Sequence, residues 1–139
     1  MIRPIVTSQF MLRAPSEDAD PADAQDAQTG QDLLDTLAAH EAECVGMAAN
    51  MIGVRKRVIV VMDGTHALLM YNPEILEATG PYETQEGCLS LPGVRPCTRY
   101  RSIRVRYLDE GRHERTKRFS GYTAQIVQHE VDHTNGIVI

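Results

Sequence analysis

The stretch His129-Glu130-Val131-Asp132-His133 decides how this chain is read. Residues four apart lie one above the other on a helix, so both imidazoles can reach one cation. The intervening glutamate sits about a quarter-turn around, close enough to handle the proton of a metal-bound water. The surrounding sequence, TAQIVQHEVDHTNG, supports a helix. Ala124, Val127 and Val131 share one face, His129 and His133 point roughly the opposite way, and Asn135-Gly136 is a stop signal. Two incidental histidines on a surface helix would match the same five residues. The Val127 and Val131 stripe instead holds this helix against a core, and metal binding is the stronger reading.

Two histidines leave a catalytic site of the zinc type one protein ligand short. The candidates are Cys88, Cys44, Cys97, His40, His66, His113 and several acids, and spacing does not choose among residues distant in sequence. Cys88 has the best local setting. Gly87 before it allows an unusual backbone, and Leu89-Ser90-Leu91-Pro92-Gly93 leads into a turn. Cys44 and Cys97 read as small buried hydrophobes.

Upstream of the helix the sequence alternates between strands and turns. Arg57 to Met62 (RVIVVM) reads as a buried strand, Asp63-Gly64 as a turn, and Ala67 to Tyr71 as a second strand ending at Asn72-Pro73. Glu74 to Thr79 and Tyr82 to Gln85 read as short strands broken by Gly80-Pro81. In Ser102 to Leu108, Ile103, Val105 and Tyr107 face one side and the arginines the other. After a turn at Asp109-Glu110-Gly111, Glu114 to Phe119 reads as a polar strand near an edge. The first third predicts a helix capped by Asp20, with Pro21 in its first turn, running to about Ala39. One helix, several mostly antiparallel strands and a second helix make an α+β arrangement.

A chain of 139 residues, 42% hydrophobic and 24% charged, reads as one ordinary globular domain over 1–139. The net charge of −5 argues against nonspecific binding to nucleic acid or anionic membrane. The basic run from Arg99 to Arg106 alternates with apolar residues and reads as one solvated strand face. The N-terminal segment reads as neither a signal peptide nor a membrane span. Three cysteines without a disulfide spacing fit a reducing cytoplasm.

Glu86-Gly87-Cys88-Leu89-Ser90 followed by His129-Glu130-Val131-Asp132-His133 resembles the second and third signature motifs of peptide deformylases. Gly46-Met47-Ala48-Ala49, after a helix and before a β-branched strand, resembles their first. Order and spacing agree, so the resemblance covers nearly the whole chain. It implies the α+β deformylase fold, with mostly antiparallel strands around a central ligand helix, and Cys88, His129 and His133 as ligands of one divalent metal. That metal is Fe2+ in cells, replaceable by Zn2+, Ni2+ or Co2+, and it lowers the pKa of its water. The activity implied is removal of the formyl group from the N-terminal formylmethionine of new bacterial proteins. By the same resemblance Glu130 takes the proton of the water and passes it to the departing amine. The oxyanion is met by the backbone N–H of Leu89, a first-motif glutamine amide and the metal. The substrate lies extended beside Val45 and Gly46, Arg95 matches an arginine that helps hold the peptide, and Ile126 either lines the methionine pocket or is core. N-formyl-methionyl peptides are the implied partners, with the ribosome exit region a further one.

The first motif departs from the family. The pattern G-x-A-A-x-Q ends here in Asn50-Met51, so Met51, which cannot donate a hydrogen bond, stands where the oxyanion glutamine belongs. Losing one such donor typically costs on the order of 10²–10³ in rate. Asn50 carries an amide one residue earlier, and only the path of the loop decides whether it faces the site. The chain ends at Ile139, six residues past His133, whereas many relatives continue into a further strand or helix. Two alternatives to a working deformylase follow: a catalytically weakened metal- and peptide-binding homologue, or an amidase for another N-acyl substrate.

Overall fold

Alternation along Val58–Asp63 (β2) organises the molecule. Val58 and Val60 pack on one side with Leu33 and Leu37, while Ile59 and Val61 pack on the other with Val127 and Val131. A strand whose successive side chains point to opposite faces can be apolar throughout only if both faces are covered. The computed structural model, which describes residues 1–138, supplies both covers. A helix at Ala24–Ala39 (α2) lies on one face and a helix at Gly121–Thr134 (α3) on the other.

The sheet is antiparallel, with five strands in sequence order. Gly46–Ala48 (β1) forms one edge beside β2, followed by His66–Cys88 (β3), Leu91–Leu108 (β4) and Glu114–Ser120 (β5) at the other edge. A single 3-10 turn at Ala49–Ile52 follows β1, and one helical turn at Gln9–Leu12 (α1) lies near the start of the chain. The edge position expected for the polar strand at Glu114 is observed, as is burial of Ile103, Val105 and Tyr107.

Three local expectations are corrected. The helix cap is Asp23, whose carboxylate accepts from Gln25 N–H and Asp26 N–H, whereas Asp20 accepts from Ala22 N–H in the turn before it. The strands expected to end at Asn72-Pro73 and to break at Gly80-Pro81 are instead one continuous β3, with a register shift between Tyr71 and Glu74 and with Pro81 opposite Tyr100. Proline has no N–H to give, and the ladder does not need one there. Tyr100 N–H donates to Gln128 Oε1 at 2.8 Å, and Tyr100 C=O accepts from Gln128 Nε2 at 2.9 Å. Gln128 thus stands in for a neighbouring strand where β5, which pairs only with Ser102 to Leu108, has stopped. Finally, Arg99 is no part of a solvated face: it is 4% exposed and bonded to buried acids.

The N-terminal segment fastens these pieces together. Arg3 N–H donates to Thr36 Oγ1 on α2, and Val6 N–H donates to Met51 C=O in the 3-10 turn at 2.7 Å. Among the described residues no helix is long and apolar enough to cross a membrane.

Candidate metal centre

The β3–β4 hairpin brings Cys88 to its tip, where Cys88 pairs with Leu91 across the two-residue turn Leu89-Ser90. Gly87 is required just before it, because a Cβ there would lie 2.8 Å from Gly93 C=O. The tip folds against α3, which presents His129 and His133 one turn apart. The donor atoms of Cys88, His129 and His133 all lie within 4.8 Å of one another, the three-ligand group expected for a metal. The two Nε2 atoms face each other at 3.2 Å. A metal held at about 2.0–2.1 Å by two nitrogens in a tetrahedral site sets them roughly 3.3 Å apart, so this donor set fits one such ion.

Electrostatics supply the thiolate for such a site. Burial pushes the Cys88 thiol up, but the His129 and His133 rings and Leu91 N–H overcome it and bring the thiol down to about 5. A lowered thiol offers the thiolate that a metal needs. Burial favours neutral His129, yet Cys88, Glu130 and Glu86 together raise it. His129 Nδ1 lies 2.8 Å from Glu86 Oε1, which fixes Nδ1 as the protonated nitrogen and turns Nε2 toward Cys88. His133 has no such support: its Nδ1 is buried and unpartnered among the described residues.

Glu86 is the centre of a network that the sequence did not reveal. Arg99 donates to both its oxygens, Gln125 Nε2 donates to Oε2 at 2.8 Å, and Arg99 Nη1 reaches on to Asp132 Oδ2 at 2.7 Å. Burial alone would raise the Glu86 carboxyl. His129, Arg99 and Gln125 instead hold it well below the ordinary carboxylate range. The periodic sign in the sequence was the basic run itself, but nothing in one chain marks Arg99 as the member that turns inward.

A cavity of about 820 Å³ opens beside the three donors. Glu130 lines it, 4% exposed, with Oε1 unpartnered among the described residues, and burial raises its carboxyl above the usual range, a setting in which a carboxyl can both take and give a proton. Gly46 lies against it: a Cβ would sit 2.9 Å from Glu130 Oε2 and 2.7 Å from Ile126 Cγ2. Val45, Leu89, Met51 and Ile126 also line the cavity. Arg95 lies outside that lining, its guanidinium donating to Pro92 C=O at 3.3 Å. Cys44 does line it, but its thiol donates to Gly46 C=O and burial pushes it up to about 11, so it stays protonated. Asn50, whose direction the sequence left open, turns away. Its Nδ2 donates to His133 C=O at 2.9 Å and to Leu12 C=O at 3.3 Å, and it takes no part in the cavity wall.

Comparison with known proteins agrees with this geometry. A family model for polypeptide deformylase matches residues 2–139. The chain is 48% identical to the peptide deformylase of Clostridium beijerinckii over the whole of both chains. It is 36% identical to that of Aquifex aeolicus over 99% of this chain and 85% of the relative. The crystal structure of peptide deformylase from Thermotoga maritima superposes with a TM-score of 0.88 at 30% identity, covering 99% of this chain and 94% of that one. A Met-Ala-Ser-bound class I type b deformylase from Acinetobacter baumannii gives 0.88 at 30%, over 99% and 96%. A Cys-His-His donor set beside a buried glutamate, on a backbone that follows those structures from end to end, leaves one assignment: this chain belongs to the polypeptide deformylase family, metal-dependent hydrolases that remove the formyl group from nascent peptides.

Proposed function

We propose that Cys88, His129 and His133 hold one divalent metal, ferrous iron in the cell and replaceable by Zn2+, Ni2+ or Co2+, and that N-formyl-methionyl peptides are hydrolysed beside it. The carrying observation is the convergence of those three donors beside a cavity whose wall contains Cys88, His129 and Glu130, the last with Oε1 unpartnered among the described residues. When bound, the metal supplies a Lewis acid and an acidified water. Glu130 takes the proton of the attacking water and returns it to the peptide nitrogen as the C–N bond breaks, releasing formate and a free amine. Leu89 offers its backbone N–H to the developing oxyanion from the hairpin tip. The substrate backbone runs past Val45 and Gly46 on the cavity wall, where the missing Cβ of Gly46 leaves room for Glu130 and Ile126. Arg95 holds the downstream peptide at the hairpin, reaching it from outside the lining. The Met51 thioether donates nothing, so the hole for the oxyanion is one donor short.

The whole of 1–139 acts as a single domain in the cytoplasm, with the ribosome exit region as the place where its substrates emerge. The formate test is direct. Protein loaded anaerobically with ferrous iron or nickel is expected to release formate from formyl-Met-Ala-Ser, and Glu130→Gln is expected to keep its metal and lose that release. Loss of the metal in Glu130→Gln would make Glu130 a ligand and overturn the role given to it. No release from fully metallated protein would favour the homologue that binds peptide without turning it over.

A further inference from the structure

The cavity wall sets apolar side chains, Val45, Met51, Leu89, Leu91 and Ile126, beside polar ones, among them Glu86, Glu130 and Gln125. Gln125 precedes His129 by four residues on α3, about 6 Å along the axis at 1.5 Å per residue. A side chain of methionine length would span that distance if it ran from the ligands toward the N-terminus of the helix. The amide of Gln125 is not free to flip. A carboxylate only accepts, so the atom 2.8 Å from Glu86 Oε2 must be the nitrogen. Glu86 is itself fixed by Arg99 and His129. The amide oxygen therefore lies away from Glu86. Among the described residues no group donates to it, and it is not one of the sealed, unpartnered atoms, so it is open to the cavity that Gln125 lines.

We propose that Gln125 is a specificity residue, its amide oxygen accepting a hydrogen bond from the end of the substrate's first side chain. The inference rests on the reading above, in which the formyl carbon sits beside Cys88, His129 and His133. N-formyl peptides are then sorted by the chemistry of that side chain as well as by its length. A first side chain of this length ending in a donor, such as glutamine, pairs with the amide, whereas norleucine leaves it unpaired and dry.

The test compares kcat/KM for formyl-Gln-Ala-Ser and formyl-norleucine-Ala-Ser in the nickel-loaded wild type, Gln125→Leu and Gln125→Met. The glutamine-to-norleucine ratio is expected to fall on the order of tenfold in both variants, the worth of one neutral hydrogen bond at a water-poor site. A loss that acts only through Glu86 and His129 slows both peptides alike and leaves the ratio unchanged; a ratio within twofold of wild type therefore overturns the proposal. If one variant does not fold, the other gives the ratio. If the wild type hydrolyses no formyl peptide, the proposed function fails. Dissociation constants of two hydroxamates carrying the same side chains, measured by calorimetry on the nickel-loaded proteins, then give the same ratio. An equal ratio in wild type and variants again overturns the role of Gln125, and a tenfold fall supports it.

Discussion

Met51→Gln should make this enzyme faster and less stable at once. Met51 is 1% exposed, its side chain lines the cavity, and its backbone carbonyl is pinned by Val6 N–H at 2.7 Å, so the replacement enters from a fixed backbone position. One restored oxyanion donor is worth about 2.7–4 kcal/mol, or on the order of 10²–10³ in rate. Because the bond strengthens only as charge develops on the formyl oxygen, the gain belongs in kcat, with KM nearly unchanged. The resting enzyme carries the opposite effect. A buried amide without a partner costs about 1–3 kcal/mol. For a chain of this size each kcal/mol lowers Tm by roughly 4 °C, so a fall of roughly 4–12 °C is expected. Formate release coupled to formate dehydrogenase gives kcat, and calorimetry of the same nickel-loaded preparation gives Tm. An unchanged kcat in a folded, fully metallated variant would refute the idea that the oxyanion hole lacks a donor. A gain confined to KM would refute it equally, since the amide would then be binding the ground state.

Two other variants probe the surroundings of the site. Asn50→Ala removes the donor shared by His133 C=O and Leu12 C=O, and urea unfolding should show a loss of about 1–3 kcal/mol while kcat of the folded fraction stays put; a large drop in kcat would place the Asn50 amide on the reaction path after all. Arg99→Lys keeps the charge but loses the planar fork that reaches Glu86 and Asp132 together, so it should destabilise by about 2 kcal/mol or more and weaken metal retention against a chelator, and wild-type behaviour in both assays would mean that Glu86 orients His129 without it.

The Cys88, His129 and His133 cluster was legible because its geometry is local. Histidines four apart on a helix declare their spacing, and Gly87 marks the approach to the hairpin, although the turn is Leu89-Ser90 itself and Pro92-Gly93 lies in β4. Both faces of the β2 run were legible for the same reason, since Val58 to Val61 is apolar at every step. What stayed hidden depends on contacts between distant residues. Asn50 turns away from the cavity because the carbonyls of Leu12 and His133 happen to converge on it, 38 and 83 positions away. Arg99 turns inward because Glu86, across a hairpin, and Asp132, on the helix, lie on one side of it. Gly80-Pro81 was misread because proline normally ends a strand; it is harmless here because Tyr100, opposite Pro81, turns its N–H and C=O away from β3 to Gln128, so the pair needs no proline N–H.

The clasp between Gln128 and Tyr100 reaches beyond strand chemistry. Its two hydrogen bonds copy the main-chain pattern of a paired residue, so they are satisfied at one setting of the helix along the strand and at no other. Gln128 is the immediate neighbour of His129. A slip of α3 by one residue, 1.5 Å, would break both bonds at once and carry the imidazoles out of line with Cys88 on the far hairpin. The amide thus works as an index mark: it reports the longitudinal position of the helix to the sheet and keeps two separately built halves of the metal centre in register.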